Sequence, residues 1–187
     1  MRIISGKLKG KKILFLKSST TRPLKDSVKE SIFNIISHSN LLNINLTSSS
    51  ILDLYSGIGS FGLECVSRGV KEVIFVEKNK AAAEVLISNL VKLKINNNAK
   101  VIVNDVKQFL NSKNSKKFDI IFLDPPYKDD DYLQNLDLIK QYKYFKKNHI
   151  VIIHRERITN DDFKGILEPV ITKHYGRSKI IIGRFSL

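Results

Sequence analysis

Five short apolar runs, Ile51–Leu54, Glu72–Val76, Lys100–Val103, Phe118–Leu123 and His149–His154, alternate with stretches of helical spacing around Gly62–Arg68, Ala81–Leu93, Val106–Asn111 and Tyr132–Tyr144. Runs that are short and continuously apolar read as strands buried on both faces. Regular strand–helix alternation leaves few topologies, because parallel strands need helical crossovers that cover the sheet. An α/β fold with a mostly parallel sheet is therefore expected. The end of the chain departs from this rhythm: His174-Tyr175-Gly176-Arg177-Ser178 lies between Val170–Lys173 and Lys179–Phe185, which predicts a closing antiparallel hairpin.

Ahead of the alternation, Ile3-Ile4 and Ile13–Leu16 flank a segment containing Gly6 and Gly10, and together they predict a small amino-terminal β-hairpin. From Pro23 to about Ile36, the apolar residues Val28, Ile32, Phe33, Ile35 and Ile36 recur at helical spacing, with Pro23 in the first turn. The Ser- and Asn-rich stretch Ser37–Ser50 reads as a loop with at most a helical turn. A length of 187 residues suits one main domain, here 21–187, with residues 1–20 as a basic extension.

Charge is unevenly placed. The net charge is +14, and Arg2, Lys7, Lys9, Lys11, Lys12, Lys17, Arg22 and Lys25 stand in the first 25 positions without an acidic residue. Such a cluster favours a polyanionic partner over a merely solvated face, although the Asn-, Ile- and Lys-rich composition supplies positive charge throughout. No apolar run reaches the roughly 20 residues of a membrane span, and the chain's start lacks the apolar core of a signal peptide, so a cytoplasmic protein is expected. The lone Cys65 makes no internal disulfide. His38, His149, His154 and His174 lack metal-ligand spacing, and no metal is expected.

Two strand ends carry the chemistry. After the first sheet strand, Asp53-Leu54-Tyr55-Ser56-Gly57-Ile58-Gly59-Ser60-Phe61-Gly62 holds three glycines in G-x-G-x-x-G spacing, where a strand turns sharply into a helix and backbone N–H groups approach a ligand. Glu77 closes the next strand, placed to accept from the hydroxyls of an adenosine ribose. These features suit a nicotinamide dinucleotide as well as S-adenosylmethionine (SAM). Asp53 separates the two, because an acid before the loop attracts an ammonium and a sulfonium but repels a pyrophosphate. Asp105 follows the third strand and is placed either to accept from an adenine amine, with Val106 beside the ring, or simply to cap a helix.

The apolar strand Phe118–Leu123 then runs into Asp124-Pro125-Pro126-Tyr127. Methylating an aromatic amine requires its ring-delocalised lone pair to be freed. Acceptors from an Asp carboxylate and a proline carbonyl favour that geometry, while the carboxylate stabilises positive charge growing on nitrogen. The prolines fix the backbone, and Tyr127 offers a face on which an unpaired base stacks. The bland alternative is a rigid turn with a capping Asp.

These residues resemble a known family over nearly the whole length: the bacterial small-subunit rRNA guanine-N2 methyltransferases of the RsmD type. The resemblance rests on Arg2-Ile3-Ile4-Ser5-Gly6 with Lys9-Gly10-Lys11, on Arg22-Pro23 through Asp26, Val28, Lys29, Glu30 and Phe33-Asn34, and on Asp53–Gly59. Leu63-Glu64, Ser67-Arg68-Gly69, Val76-Glu77, Phe122–Tyr127 and Tyr175-Gly176 extend it. Leu24-Lys25 and Cys65 depart from it. The resemblance implies a Rossmann-like SAM-dependent methyltransferase fold acting on 16S rRNA, free or within a small subunit or assembly intermediate, as a monomer in the cytoplasm. It implies that Arg22, Asp26 and Glu30 line the cleft. The full expected cofactor set is Arg22, Asp53, Tyr55, Gly57, Gly59, Glu77, Lys78, Asp105, Val106 and Asp124. Asp124, Pro125, Pro126 and Tyr127 are the expected reacting end, and Arg2, Lys7, Lys9, Lys11 and Lys12 the expected RNA contacts.

Two other readings stand beside this one. An adenine-N6 DNA methyltransferase uses the same tetrapeptide, but no second domain large enough to read a duplex is evident. A non-catalytic RNA-binding assembly factor would have little use for Asp53, Glu77 and Asp124. His154-Arg155-Glu156-Arg157 ends a strand near the cleft, where it reads more readily as a solvated strand end than as an RNA contact. Tyr142–Lys147 suits a packed aromatic stripe as well as a nucleic-acid surface.

Overall fold

The computed structural model describes residues 1–16, 24–95, 97–113, 115–126 and 131–186. Its helices are α1 (Asp26–His38), α2 (Ser60–Ser67), α3 (Lys80–Lys92), α4 (Val106–Asn111) and α5 (Tyr132–Gln141). Its strands are β1 (Ser50–Leu54), β2 (Glu72–Glu77), β3 (Ala99–Val103), β4 (Phe118–Leu123), β5 (Phe145–Glu156), β6 (Glu168–Tyr175) and β7 (Ser178–Arg184). The seven strands form one sheet in the order β3-β2-β1-β4-β5-β7-β6. The β1–β5 pairs are all parallel, and β7 pairs antiparallel with both β5 and β6. The mostly parallel sheet and the closing hairpin expected from the alternation are thus both present. Strand order reverses between β1 and β4, and at such a point the crevice beyond the carboxyl ends of the strands is open to a ligand.

Period-two alternation divides each central strand between two cores. Ile51, Val73, Phe75, Ile120, Phe122, Ile150 and Ile152 face α1, α2 and α3. Leu52, Leu54, Ile74, Val76, Ile121, Leu123, Val151 and Ile153 face α4 and α5. On the first face the Phe33, Phe61 and Phe122 rings stack at centroid distances of 5.4 and 4.0 Å, which ties α1 through α2 to β4. Tyr144 and Phe145 pack inside the second core, with the Tyr144 hydroxyl donating to the Leu110 carbonyl at 2.8 Å, so the aromatic stripe is a packing feature.

Three expectations are corrected. The run Lys100–Val103 is not buried on both faces: β3 forms one edge of the sheet and is only partly covered. The amino-terminal hairpin is present but shorter than two full strands: its arms meet at one antiparallel bridge, Arg2 to Lys12, with Ile3 N–H on the Lys11 carbonyl at 3.0 Å and Ile13 N–H on the Met1 carbonyl at 3.3 Å, while the turn between them is drawn onto α2. His154-Arg155 is no solvated strand end, since both residues are buried. The first helix begins at Asp26; Pro23 lies outside the described residues. A short 3-10 turn, Leu46–Ser48, occupies the loop before β1. Among the described residues no helix is long and apolar enough to cross a membrane.

The amino-terminal segment is bound into the body by polar contacts as well as by Ile3 and Ile13 in the core. The Glu64 carboxylate, fully buried on α2, accepts the Ile4 and Ser5 N–H groups at 2.9 Å each and the Arg68 Nε at 3.0 Å. Ser67 takes the Lys7 N–H on its carbonyl at 2.7 Å and the Leu8 N–H on its hydroxyl at 2.9 Å. Gly6 has φ +79, and any Cβ there would lie 2.0 Å from the Ser67 carbonyl oxygen, so the close approach requires glycine. Further along, Asn89 on α3 pairs with the Leu14 N–H and carbonyl at 2.6 and 3.2 Å.

Candidate active site

The glycine loop leaves β1 through Tyr55 (φ 58) and Gly57 (φ 54) and enters α2 at Gly59 (φ 85). The loop consumes its own donors. Gly57 N–H donates to Glu77 Oε2 at 2.7 Å, Gly59 N–H to the Ser56 carbonyl at 2.8 Å, and Gly62 N–H to Asp53 Oδ2 at 3.0 Å. The expectation that these glycines present N–H groups to a ligand is therefore corrected: they permit a tight turn, and they offer no amide cradle to a pyrophosphate. A Cβ on Gly57 would meet nothing within 4 Å, so that side of the loop is open.

Around this opening the charge is negative. Asp53 is 1% exposed, and its Oδ1 has no hydrogen-bond partner. Burial pushes its carboxyl pKa well above the usual range; the Gly62 N–H opposes that rise, while the charges of Asp124 and Glu77 add to it. A buried acceptor without a partner, flanked by two more carboxylates, suits a cationic ligand and disfavours a phosphate. The ammonium and sulfonium of SAM meet that requirement. Glu77 is held by Gly57 N–H and by Asn79 N–H at 2.7 Å, one on each oxygen, so its carboxylate is fixed at the tip of β2.

The remaining expected cofactor residues are placed unequally. The Tyr55 hydroxyl accepts from Asn135 Nδ2 at 2.7 Å, linking the loop to α5. Asp105 is the N-cap of α4 and accepts the Lys107 N–H at 2.9 Å, so the capping role holds in the structure, and Val106 beside it is buried. Lys78 is exposed. Asp26 pairs with Lys29 Nζ at 3.1 Å and Glu30 is exposed. Arg22 and Tyr127 lie outside the described residues.

Asp124 follows β4 directly beside the end of β1, where Leu54 pairs with Leu123. Its Oδ1 meets His154 Nδ1 at 2.8 Å, and His154 Nε2 meets Ser178 Oγ at 3.0 Å. The next residue on β5, Arg155, sends Nη1 to the Pro126 carbonyl at 3.4 Å and Nε to Asp161 at 3.0 Å. Asp161 also accepts from the Tyr132 hydroxyl at 2.7 Å and pairs with Lys179 Nζ at 2.5 Å. Adjacent residues of one strand thus hold both ends of Asp124-Pro125-Pro126. Sequence reasoning missed Ser178 and Asp161, and read His154 and Arg155 as a solvated strand end. The only local signal was a polar tetrad ending an apolar strand.

The five basic residues expected to meet RNA, Arg2, Lys7, Lys9, Lys11 and Lys12, are all exposed. They decorate the segment docked on the carboxyl end of α2. With 8 residues, α2 spans about 12 Å, so Lys7 stands roughly that far along the helix from the glycine loop.

Solved structures share this architecture. A candidate methyltransferase of Escherichia coli superposes with a TM-score of 0.82 at 24% identity, covering 99% of this chain and 97% of its own. A candidate methylase of Haemophilus influenzae does so with a TM-score of 0.78 at 29% identity, covering 97% of this chain and 96% of its own. SMU.776, a candidate methyltransferase complexed with SAH, reaches a TM-score of 0.63 at 15% identity over 81% of this chain and 49% of its own. With an acid before the glycine loop that has one buried oxygen unpartnered, the fold is the Rossmann-like one of SAM-dependent methyltransferases.

Sequence similarity narrows the class. The ribosomal RNA small subunit methyltransferase D of Buchnera aphidicola subsp. Baizongia pistaciae is 35% identical over 160 residues, 86% of this chain and 78% of its own length. That of Haemophilus influenzae is 34% identical over 159 residues, 84% and 79% of the two chains. The family model described as conserved hypothetical protein 95 matches residues 1–184, and this chain belongs to that family, the RsmD family of methyltransferases.

Proposed function

We propose that this methyltransferase transfers the methyl group of SAM to the exocyclic N2 amine of a guanine in small-subunit ribosomal RNA. The observation that carries the reading is the pairing of two acids at the adjacent tips of β1 and β4, Asp53 with a buried, unpartnered oxygen and Asp124 with one oxygen held by His154. The names of the relatives support ribosomal RNA as the substrate.

When bound, SAM supplies the electrophilic methyl group. Asp53 holds the cationic end of the cofactor, and Glu77 faces its ribose. Asp124 and a proline carbonyl accept the amine N–H groups, which turns the nitrogen lone pair toward the methyl group. Asp124 then stabilises the positive charge growing on nitrogen and takes the released proton. Arg22 and Tyr127 complete the reading, Arg22 on the cofactor side and Tyr127 as a stacking face for the base. The exposed basic segment holds RNA phosphates.

The test is transfer of labelled methyl from SAM to unmodified small ribosomal particles, naked rRNA and duplex DNA, followed by nucleoside analysis, with Asp124→Ala as control. Label in N2-methylguanosine of ribosomal RNA that disappears with the variant is the expected result. Label in DNA adenine, or bound SAM with no transfer to any substrate, would overturn it.

A further inference from the structure

We infer that His154 is a positioning residue for methyl transfer: through Nδ1 it fixes Asp124 Oδ1, with Ser178 behind it, and leaves the second carboxylate oxygen for the substrate amine. The inference rests on Asp124 being the residue that meets the amine.

Three strands build this chain of contacts. Asp124 follows β4, His154 lies near the end of β5 and Ser178 opens β7, with β5 paired to both neighbours. Contacts of 2.8 and 3.0 Å join the groups in series. Their exposure falls inward: the Asp124 side chain is 23% exposed and that of His154 is 7% exposed. The acid thus reaches the cleft while its support stays in the sheet.

Proton placement follows from the partners. An ionised carboxylate only accepts, so Nδ1 carries the hydrogen, and in the neutral ring Nε2 accepts from the Ser178 hydroxyl. An Asp carboxylate otherwise turns freely, since its terminal torsion has a broad well. A donor on one oxygen restrains that torsion and directs the other oxygen. The nearby Arg155 and Lys179 both pair with Asp161.

The experiment compares His154→Asn, His154→Gln, His154→Leu, Ser178→Ala and Asp124→Ala in full-length enzyme. Methyl transfer to small ribosomal particles and SAM affinity by calorimetry are measured for each variant, and ¹⁵N NMR of the His154 ring is measured in the free native protein. Asn places an amide donor near the Nδ1 position and is expected to retain most of the rate. Gln and Leu do not, and kcat is expected to fall about 10- to 100-fold with KM and SAM affinity unchanged, the size of a misplacement near a reacting group. Ser178→Ala is expected to lose about fivefold, as one neutral hydrogen bond is removed. NMR is expected to show the Nδ1–H tautomer. Undiminished kcat in Gln and Leu, an Nε2–H tautomer, or loss of SAM affinity in step with kcat in all three His154 variants would overturn the inference. Asp124→Ala retaining transfer would instead overturn the reading of the site.

Discussion

The Asp53 carboxyl sits with one oxygen on the Gly62 N–H, the other unpartnered, and two more carboxylates close by. Its pKa is raised in the folded protein, so the folded chain binds the proton more tightly than the unfolded one. Stability therefore falls as pH rises from the ordinary carboxylate range through the raised folded pKa. A bound cation favours the ionised form, so SAM is expected to bind more tightly as pH rises through that folded pKa and to release a proton on binding. Asp53→Asn removes the charge: it is expected to raise the thermal midpoint at neutral pH and to weaken SAM about 10- to 100-fold, the loss of a charged hydrogen bond. Calorimetry in two buffers of different ionisation heat should show proton release in the native protein and none in the variant; equal SAM affinity in both would remove Asp53 from the cation's site. Asp53 was legible as a candidate because it stands just before the glycine loop, and Asp124 because it follows an apolar run. The shortage of partners around Asp53 was not, because burial is set by α2 and β2 closing over it.

The elements themselves were largely legible, since periodicity is a local property: α4 and β4 have the bounds that the spacing implies. Edges were not. The run at β3 reads like its neighbours, and only the strand order leaves it half exposed. The amino-terminal segment shows the same limit, because its shape depends on a carboxylate far along the chain. Glu64→Gln removes the ion pair with Arg68 and one of two backbone acceptors in a buried place. It is expected to cost about 1–3 kcal/mol in denaturant unfolding and to expose the first residues to protease. An unchanged midpoint with an unchanged cleavage pattern would show that Ile3 and Ile13 hold the segment without it.

Across the whole molecule, the acidic crevice and the basic segment are separated along α2, and in the proposed function that separation divides cofactor binding from RNA holding. Replacing Lys7, Lys9, Lys11 and Lys12 together by Ala is expected to leave SAM affinity unchanged. RNA affinity should fall, and the slope of its logarithm against log salt should become shallower by about 0.7 to 0.9 for each phosphate that the protein no longer neutralises. A slope identical to that of the native protein would place the RNA elsewhere. The sequence by itself determined the alternating strands and helices, the glycine loop, the acids at the strand tips and the basic start. Each of these is written in neighbouring residues or in their spacing. Tertiary structure alone decided which donors the glycine loop keeps for itself. It also decided which strand became an edge, and that His154, 30 residues beyond Asp124, stands behind it with Ser178. Those contacts depend on strand order and register, which join residues that no local pattern relates.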